Sequence, residues 1–159
     1  MAEAELIARA IHADYLRRGK VDGSLPEDDP SLRAWEELDE SLRASDRDQA
    51  GDIGRKLASI GCAAVPAEQA RSEPVQFEPG EIEMLARLEH ARWVEERLRQ
   101  GWRPGPRRDV AERRSPYLVP WEELSEKVRD LDRDSVRAIP RLLAEVGLLI
   151  VRRPGSRER

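Results

Sequence analysis

At 159 residues, with 39% hydrophobic and 38% charged side chains, the chain is long enough to bury a core without staples and too apolar for a disordered polymer. Its net charge of −4 argues against a general nucleic-acid binder, which carries a basic excess. Cys62 is the single cysteine, which excludes an intrachain disulfide and a cysteine metal cluster. The N-terminus has no basic n-region or long apolar stretch, so the expectation is a cytoplasmic protein with neither signal peptide nor membrane span. Lys20, Lys56 and Lys127 are the only lysines among 28 basic residues. Arginine suits bidentate contacts with phosphate or carboxylate, but a chain without Asn or Thr also points to a codon bias that inflates its arginine content.

Residues 3 to about 18 read as a helix, with Leu6, Ala10, Ala13 and Leu16 at three- and four-residue spacing and Gly19 as its stop. The glycine and two prolines of residues 20–30 predict a loop. Trp35-Glu-Glu-Leu38 reads as a short turn, Ser45 or Asp46 as the cap of the next helix, and Ile53, Leu57 and Ile60 as that helix's apolar side, ending at Gly61. Residues 62–65 predict a short strand. The prolines and glycine of residues 66–80 give that stretch a linker's composition, which divides the chain into residues 1–65 and 81–151. A second long helix starts at Glu81 and stops at Gly101, with Met84, Leu88, Ala91, Val94 and Leu98 as its apolar stripe. Residues 117–119 predict a strand, Trp121-Glu-Glu-Leu124 repeats the earlier tetrapeptide, and Asp132-Arg-Asp134 is expected to open the last helix, which ends at Gly147. Residues 148–151 predict a final strand and residues 152–159 a frayed tail.

The two halves are copies. At an offset of 78 residues (86 − 8), Ala8, Arg9, His12 and Ala13 recur as Ala86, Arg87, His90 and Ala91, and Tyr15 pairs with Trp93. At an offset of 86 residues (121 − 35), 14 of the 27 positions in residues 35–61 are identical in residues 121–147. The second copy carries 8 more residues between these blocks (86 − 78), in the Trp102–Tyr117 region. Gly54 aligns with Pro140, which suggests that both helices bend or restart there. Two copies point to a pseudo-twofold pair, not a solenoid.

On a helix, His90, Trp93 and Arg97 share one face, and His12 and Tyr15 reproduce it with Gly19 in the arginine's place. Two aromatic walls with a nearby guanidinium suit a base-plus-phosphate ligand. The competing reading is packing, since a tryptophan beside an apolar stripe usually fills a core or an interface. On the same reasoning the histidines are structural, Asp46 and Asp132 cap helices, and Trp35 and Trp121 anchor their turns. No serine elbow, phosphate-cradling glycine loop, zinc motif or reactive Cys/His set is visible, so the expectation is a non-enzymatic protein without cofactor or metal.

His90-x-x-Trp93, Gly101-Trp-x-x-Gly-Pro-x-Arg-Asp109, Pro116-x-Leu-Val-Pro-Trp121 and Arg133-Asp134 resemble the RyR domain, the repeat found in pairs in ryanodine receptors and in small bacterial proteins. The resemblance covers nearly all of residues 5–151 and is most specific in the second half; the first lacks the Gly-Trp loop. It implies a compact, mostly helical α+β fold of two repeats in a pseudo-twofold pair with short edge strands. It also implies a cytosolic, non-enzymatic signalling module able to hold an adenine nucleotide between its repeats. Carried onto this chain, the aromatics flanking the base are Tyr15 and Trp93 of the motifs that begin at His12 and His90, and the arginine one turn on is Arg97. Polar positions of the later loop and helix are Ser115, Tyr117 and Asp132, with Asp46 the repeat equivalent of Asp132. Asp132 stands where an amide is common in the receptors, which makes it an acceptor and not a donor. The expected partner is a small nucleotide, of the NAD-derived or cyclic kind, with no nucleic acid and no membrane. The alternative is a protein-interaction or assembly module that docks a partner or a second copy.

Overall fold

A computed structural model describes residues 2–22, 29–71 and 73–153. The fold is mostly helical α+β. In chain order it comprises α1 (Ala2–Asp22), α2 (Glu40–Ser59), β1 (Cys62–Pro66), α3 (Pro79–Arg99), β2 (Arg103–Pro104), β3 (Arg114–Ser115), α4 (Glu126–Arg137), α5 (Ile139–Glu145) and β4 (Leu148–Arg152). Single 3-10 turns at Trp35–Glu37 and Trp121–Glu123 precede α2 and α4. Among the described residues no helix is long and apolar enough to cross a membrane.

The chain divides into two compact units. One holds α1, α2, β1, α5 and β4; the other holds α3, β2, β3 and α4. The first unit takes the last helix and strand of the second sequence copy. Its sheet is the antiparallel pair β1 and β4, in the register Cys62 to Arg152, Ala64 to Ile150 and Pro66 to Leu148. Adding the 86-residue offset to Ala64 gives 150, so the central pair is formed by equivalent positions, and each outer pair is the other's image. The strands are therefore related by a local twofold through Ala64 and Ile150. The flanking hydrogen bonds obey the same axis. The N–H of Ala67 donates to the Gly147 carbonyl at 2.9 Å and that of Arg153 to the Gly61 carbonyl at 2.8 Å. Both glycines adopt positive φ, 72° at Gly61 and 82° at Gly147, which lets each helix end and turn directly into its strand.

Several local expectations change. α1 continues through Gly19 to Asp22, because a lone glycine weakens a helix by only about 1 kcal/mol and does not end it; residues 23–28 of the expected loop and residues 154–159 of the expected tail lie outside the described residues. α2 begins at Glu40 after Asp39, not at Ser45. α4 begins at Glu126, where the Ser125 hydroxyl accepts the Val128 N–H at 3.3 Å. Asp46 and Asp132 thus lie inside helices and are not caps. Residues 117–119 form a turn and no strand: the Ser115 hydroxyl accepts the Tyr117 N–H at 3.2 Å, and Pro116 and Pro120 keep the segment out of a ladder. Pro140 does break its helix, into α4 and α5, whereas α2 runs uninterrupted through Gly54. Glycine keeps the N–H that proline lacks.

One buried ion pair belongs to the first copy alone. Lys56 Nζ donates to Asp52 at 2.8 Å, with the lysine side chain 2% exposed; the positions 86 residues on are Ala138 and Leu142. Burial pushes the Asp52 carboxyl up, but hydrogen bonds from Lys56 and Arg55 outweigh it and hold the group below its ordinary 3.8. Removing one partner of a buried pair is far more costly than replacing both with apolar groups. Asp52→Ala is expected to cost about 3 kcal/mol in urea unfolding. The double variant Asp52→Ala, Lys56→Leu, which copies the second repeat, recovers most of that loss.

Candidate functional site

In the second unit, α3 carries the motif residues and the Trp121 turn faces them. His90 is 5% exposed. Its Nε2 lies 2.7 Å from the Val119 carbonyl; a carbonyl only accepts, so Nε2 carries the proton. Nδ1 faces a carboxylate oxygen of Asp132 at 3.7 Å. The imidazole lies between two indoles, offset-stacked with Trp93 at 6.0 Å and tilted against Trp121 at 6.1 Å. The first unit repeats this arrangement. His12 Nε2 donates to the Arg33 carbonyl at 2.6 Å, Nδ1 is 3.6 Å from Asp46, and the ring stands 6.3 Å from Tyr15 and 6.1 Å from Trp35. The structure therefore gathers His90, Trp93, Arg97 and Asp132 in one unit, and His12, Tyr15 and Asp46 in the other.

An arginine clamp completes each constellation. Arg133 donates to both oxygens of Glu83, at 2.8 and 3.2 Å, and lies 5.6 Å from the Trp121 ring centroid. Arg47 does the same with Glu5, at 2.7 and 3.3 Å, and with Trp35 at 5.6 Å. Arg87 and Arg9 stand over the same two indoles and pair with Glu122 and Glu36. Trp35 and Trp121 are 7% and 6% exposed, so these are the anchors of their turns. In the sequence, Arg133 marks the expected start of the last helix and Arg47 is not singled out. The repeat of Glu5 as Glu83, at the same offset as the histidines, was the available signal for the clamp.

What the second unit has alone is a guanidinium between two tryptophans. Arg97 lies 5.6 Å from the Trp93 ring centroid and 5.7 Å from that of Trp102. The helix end brings Trp102 there. Gly101 has a φ of 90°, its N–H donates to the Leu98 carbonyl, and the Trp102 N–H returns to the Arg97 carbonyl at 2.9 Å, the paired bonds of a left-handed helix cap. Arg113, itself at a φ of 55°, donates to the Gln100 carbonyl at 2.8 Å. Gly105 permits the close crossing of β2 and β3, since a Cβ there would meet the Arg114 Cβ at 2.8 Å. Ser115 is buried and spends its hydroxyl on the Tyr117 backbone, while Tyr117 is 40% exposed. In the first unit the Tyr15 hydroxyl is bound to Ser31 at 2.8 Å, and Ser31 donates to Asp29 at 2.6 Å. Among the described residues no group of three or more His, Cys, Asp or Glu side chains is placed to hold a metal ion.

The clamps carry a pH dependence. The hydrogen bond from Arg133 holds the Glu83 carboxyl below its ordinary 4.5, and Arg47 does the same to Glu5. A carboxyl whose folded value is depressed stabilises the fold above its unfolded value, and that contribution disappears as pH falls through the folded value. Thermal unfolding temperature is therefore expected to fall as pH drops below about 4.5, and the double variant Glu5→Gln, Glu83→Gln flattens that dependence. Gly101→Ala tests the helix cap. A side chain at this φ costs roughly 1–2 kcal/mol, and near-ultraviolet circular dichroism should report the displaced Trp102.

Residues 80–152 match the family model described as the RyR domain. The match spans α3 through β4, the second of the two sequence copies.

Proposed function

From a chain whose residues 80–152 match the RyR domain, we propose a non-enzymatic sensor module that binds a small adenine-containing nucleotide, of the NAD-derived or cyclic kind. The base stacks on Trp93 and a phosphate meets Arg97. The observation that carries the reading is the Trp93, Arg97 and Trp102 constellation. Trp93 is only partly buried, and Arg97 brings to its ring a planar cation suited to phosphate. Asp132 and the half-exposed Tyr117 supply an acceptor and a hydroxyl on the same unit. His90 is tied to Val119 and serves to orient Trp93, not to react.

The two half-sites are unequal. Tyr15 is smaller than Trp93, its hydroxyl is engaged by Ser31, and Gly19 stands where Arg97 would be. One nucleotide per chain is the expected stoichiometry. Calorimetric titration with ATP, ADP-ribose, cyclic ADP-ribose and cyclic dinucleotides tests the proposal. Stacking of a base is worth roughly 1–3 kcal/mol, so Trp93→Ala is expected to weaken binding by about 5- to 150-fold. No binding at millimolar ligand, or unchanged binding in that variant, overturns the reading.

A second reading, docking of a protein partner, has one observation in its favour. Leu6 and Met84 occupy one repeat position (6 + 78 = 84) and are 53% and 47% exposed. Concentration-dependent self-association that Leu6→Lys and Met84→Lys abolish, in a protein that binds no nucleotide, would favour it.

A further inference from the structure

Arg97 belongs to a network of side-chain hydrogen bonds that runs from Glu89 to Gln100, about three helical turns. Its Nη1 donates to Gln100 Oε1 at 3.1 Å, and Gln100 Nε2 donates to Glu96 Oε1 at 3.2 Å. The other Glu96 oxygen accepts from Arg92 Nη1 at 2.9 Å. Arg92 in turn grips both Glu89 oxygens, through Nε at 3.1 Å to each and Nη2 at 2.7 Å to one. Glu89, Arg92 and Glu96 are 5%, 6% and 6% exposed. The spacing 89, 92, 96, 97 places these four on adjoining rows of α3, and Gln100 is its C-cap.

We propose that Gln100 is the positioning residue for Arg97, holding the guanidinium in place between Trp93 and Trp102 before any ligand arrives. A guanidinium only donates and a carboxylate only accepts, so the Gln100 amide has one orientation that satisfies both neighbours. Its own backbone is fixed, with the N–H on the Glu96 and Arg97 carbonyls and the carbonyl on Arg113. The buried triad behind it is an immobile base, because charged groups at this depth are held by their mutual hydrogen bonds. Neutral Gln100 relays that order without adding charge next to the site. The first copy has other residue types at these positions: the equivalents of Glu96, Arg97 and Gln100 are Arg18, Gly19 and Asp22. A preorganised cation loses less side-chain freedom when it meets phosphate, which raises affinity.

The assignment of ligand rests on the nucleotide reading above; the positioning itself is measurable without ligand. Nuclear magnetic resonance of the free protein should show slow rotation of the Arg97 guanidinium in the native chain, fast rotation in Gln100→Leu, and slow rotation again in Gln100→Glu, which keeps an acceptor for Arg97. Equal rotation in the native protein and Gln100→Leu overturns the proposal. In calorimetry, Gln100→Leu should weaken ATP roughly three- to tenfold and change adenosine, which has no phosphate, less than twofold. If the native protein binds neither compound, the nucleotide reading falls while the rotation rates still decide the role of Gln100. If it binds ATP and Gln100→Leu binds it equally well, the positioning role falls alone.

Discussion

In each repeat one arginine joins three elements: its guanidinium is gripped by a glutamate of the long helix and lies over the indole that opens the following turn. Arg133 ties α4 to Glu83 of α3 and to Trp121, and Arg47 ties α2 to Glu5 of α1 and to Trp35. A bidentate pair fixes both distance and angle, so the long helix cannot slide without breaking it. The histidine closes the remaining freedom by donating to the carbonyl two residues before the same indole. Trp93 and Tyr15 follow their histidines by three residues on these fixed helices, and their ring positions are consequences of the clamp.

The duplication was legible because identical residues do identical work. Shared residues alone could be a remnant of ancestry; a shared His-to-carbonyl bond, a shared His-to-Asp approach and a shared clamp, all reproduced within tenths of an ångström, mean that the spacing itself is what both copies keep. The sequence also showed the long helices, the Trp-Glu-Glu turns and the terminal strands, since hydrophobic period and glycine stops act locally. It misplaced the starts of α2 and α4 by reading Asp46 and Asp132 as caps. Both are aspartates near a helix start, and only the fold reveals that each faces a histidine from inside its helix. The exchange of α5 and β4 into the unit built by the first copy was equally out of reach, because strand pairing depends on partners distant in sequence.

Where the copies diverge, the divergence is chemical and not random in sign. Asp14, Arg17 and Arg18 of α1 become Arg92, Glu95 and Glu96 of α3, a full reversal of charge at equivalent positions. In the first unit the buried Asp14 is surrounded by Arg17, Arg18 and Arg141. In the second the buried Arg92 is surrounded by Glu89 and Glu96. Each central charge has opposite charges around it, which is the condition for burying an ion at all. Reversal keeps that condition while changing the sign of what each helix presents.

The same reversal bears on the arginine that the second half presents beside the aromatic of its histidine motif. A carboxylate at Glu96 can hold Gln100, and through it Arg97; an arginine at position 18 supplies no acceptor for such a chain, and Gly19 supplies no side chain to hold. The second copy then adds residues between Trp102 and Tyr117, and the Gly101 cap turns the first of them back onto Arg97. Charge sign, helix cap and insertion therefore act together on one guanidinium. A duplicated scaffold has kept its clamp in both halves and concentrated its distinctive chemistry in one.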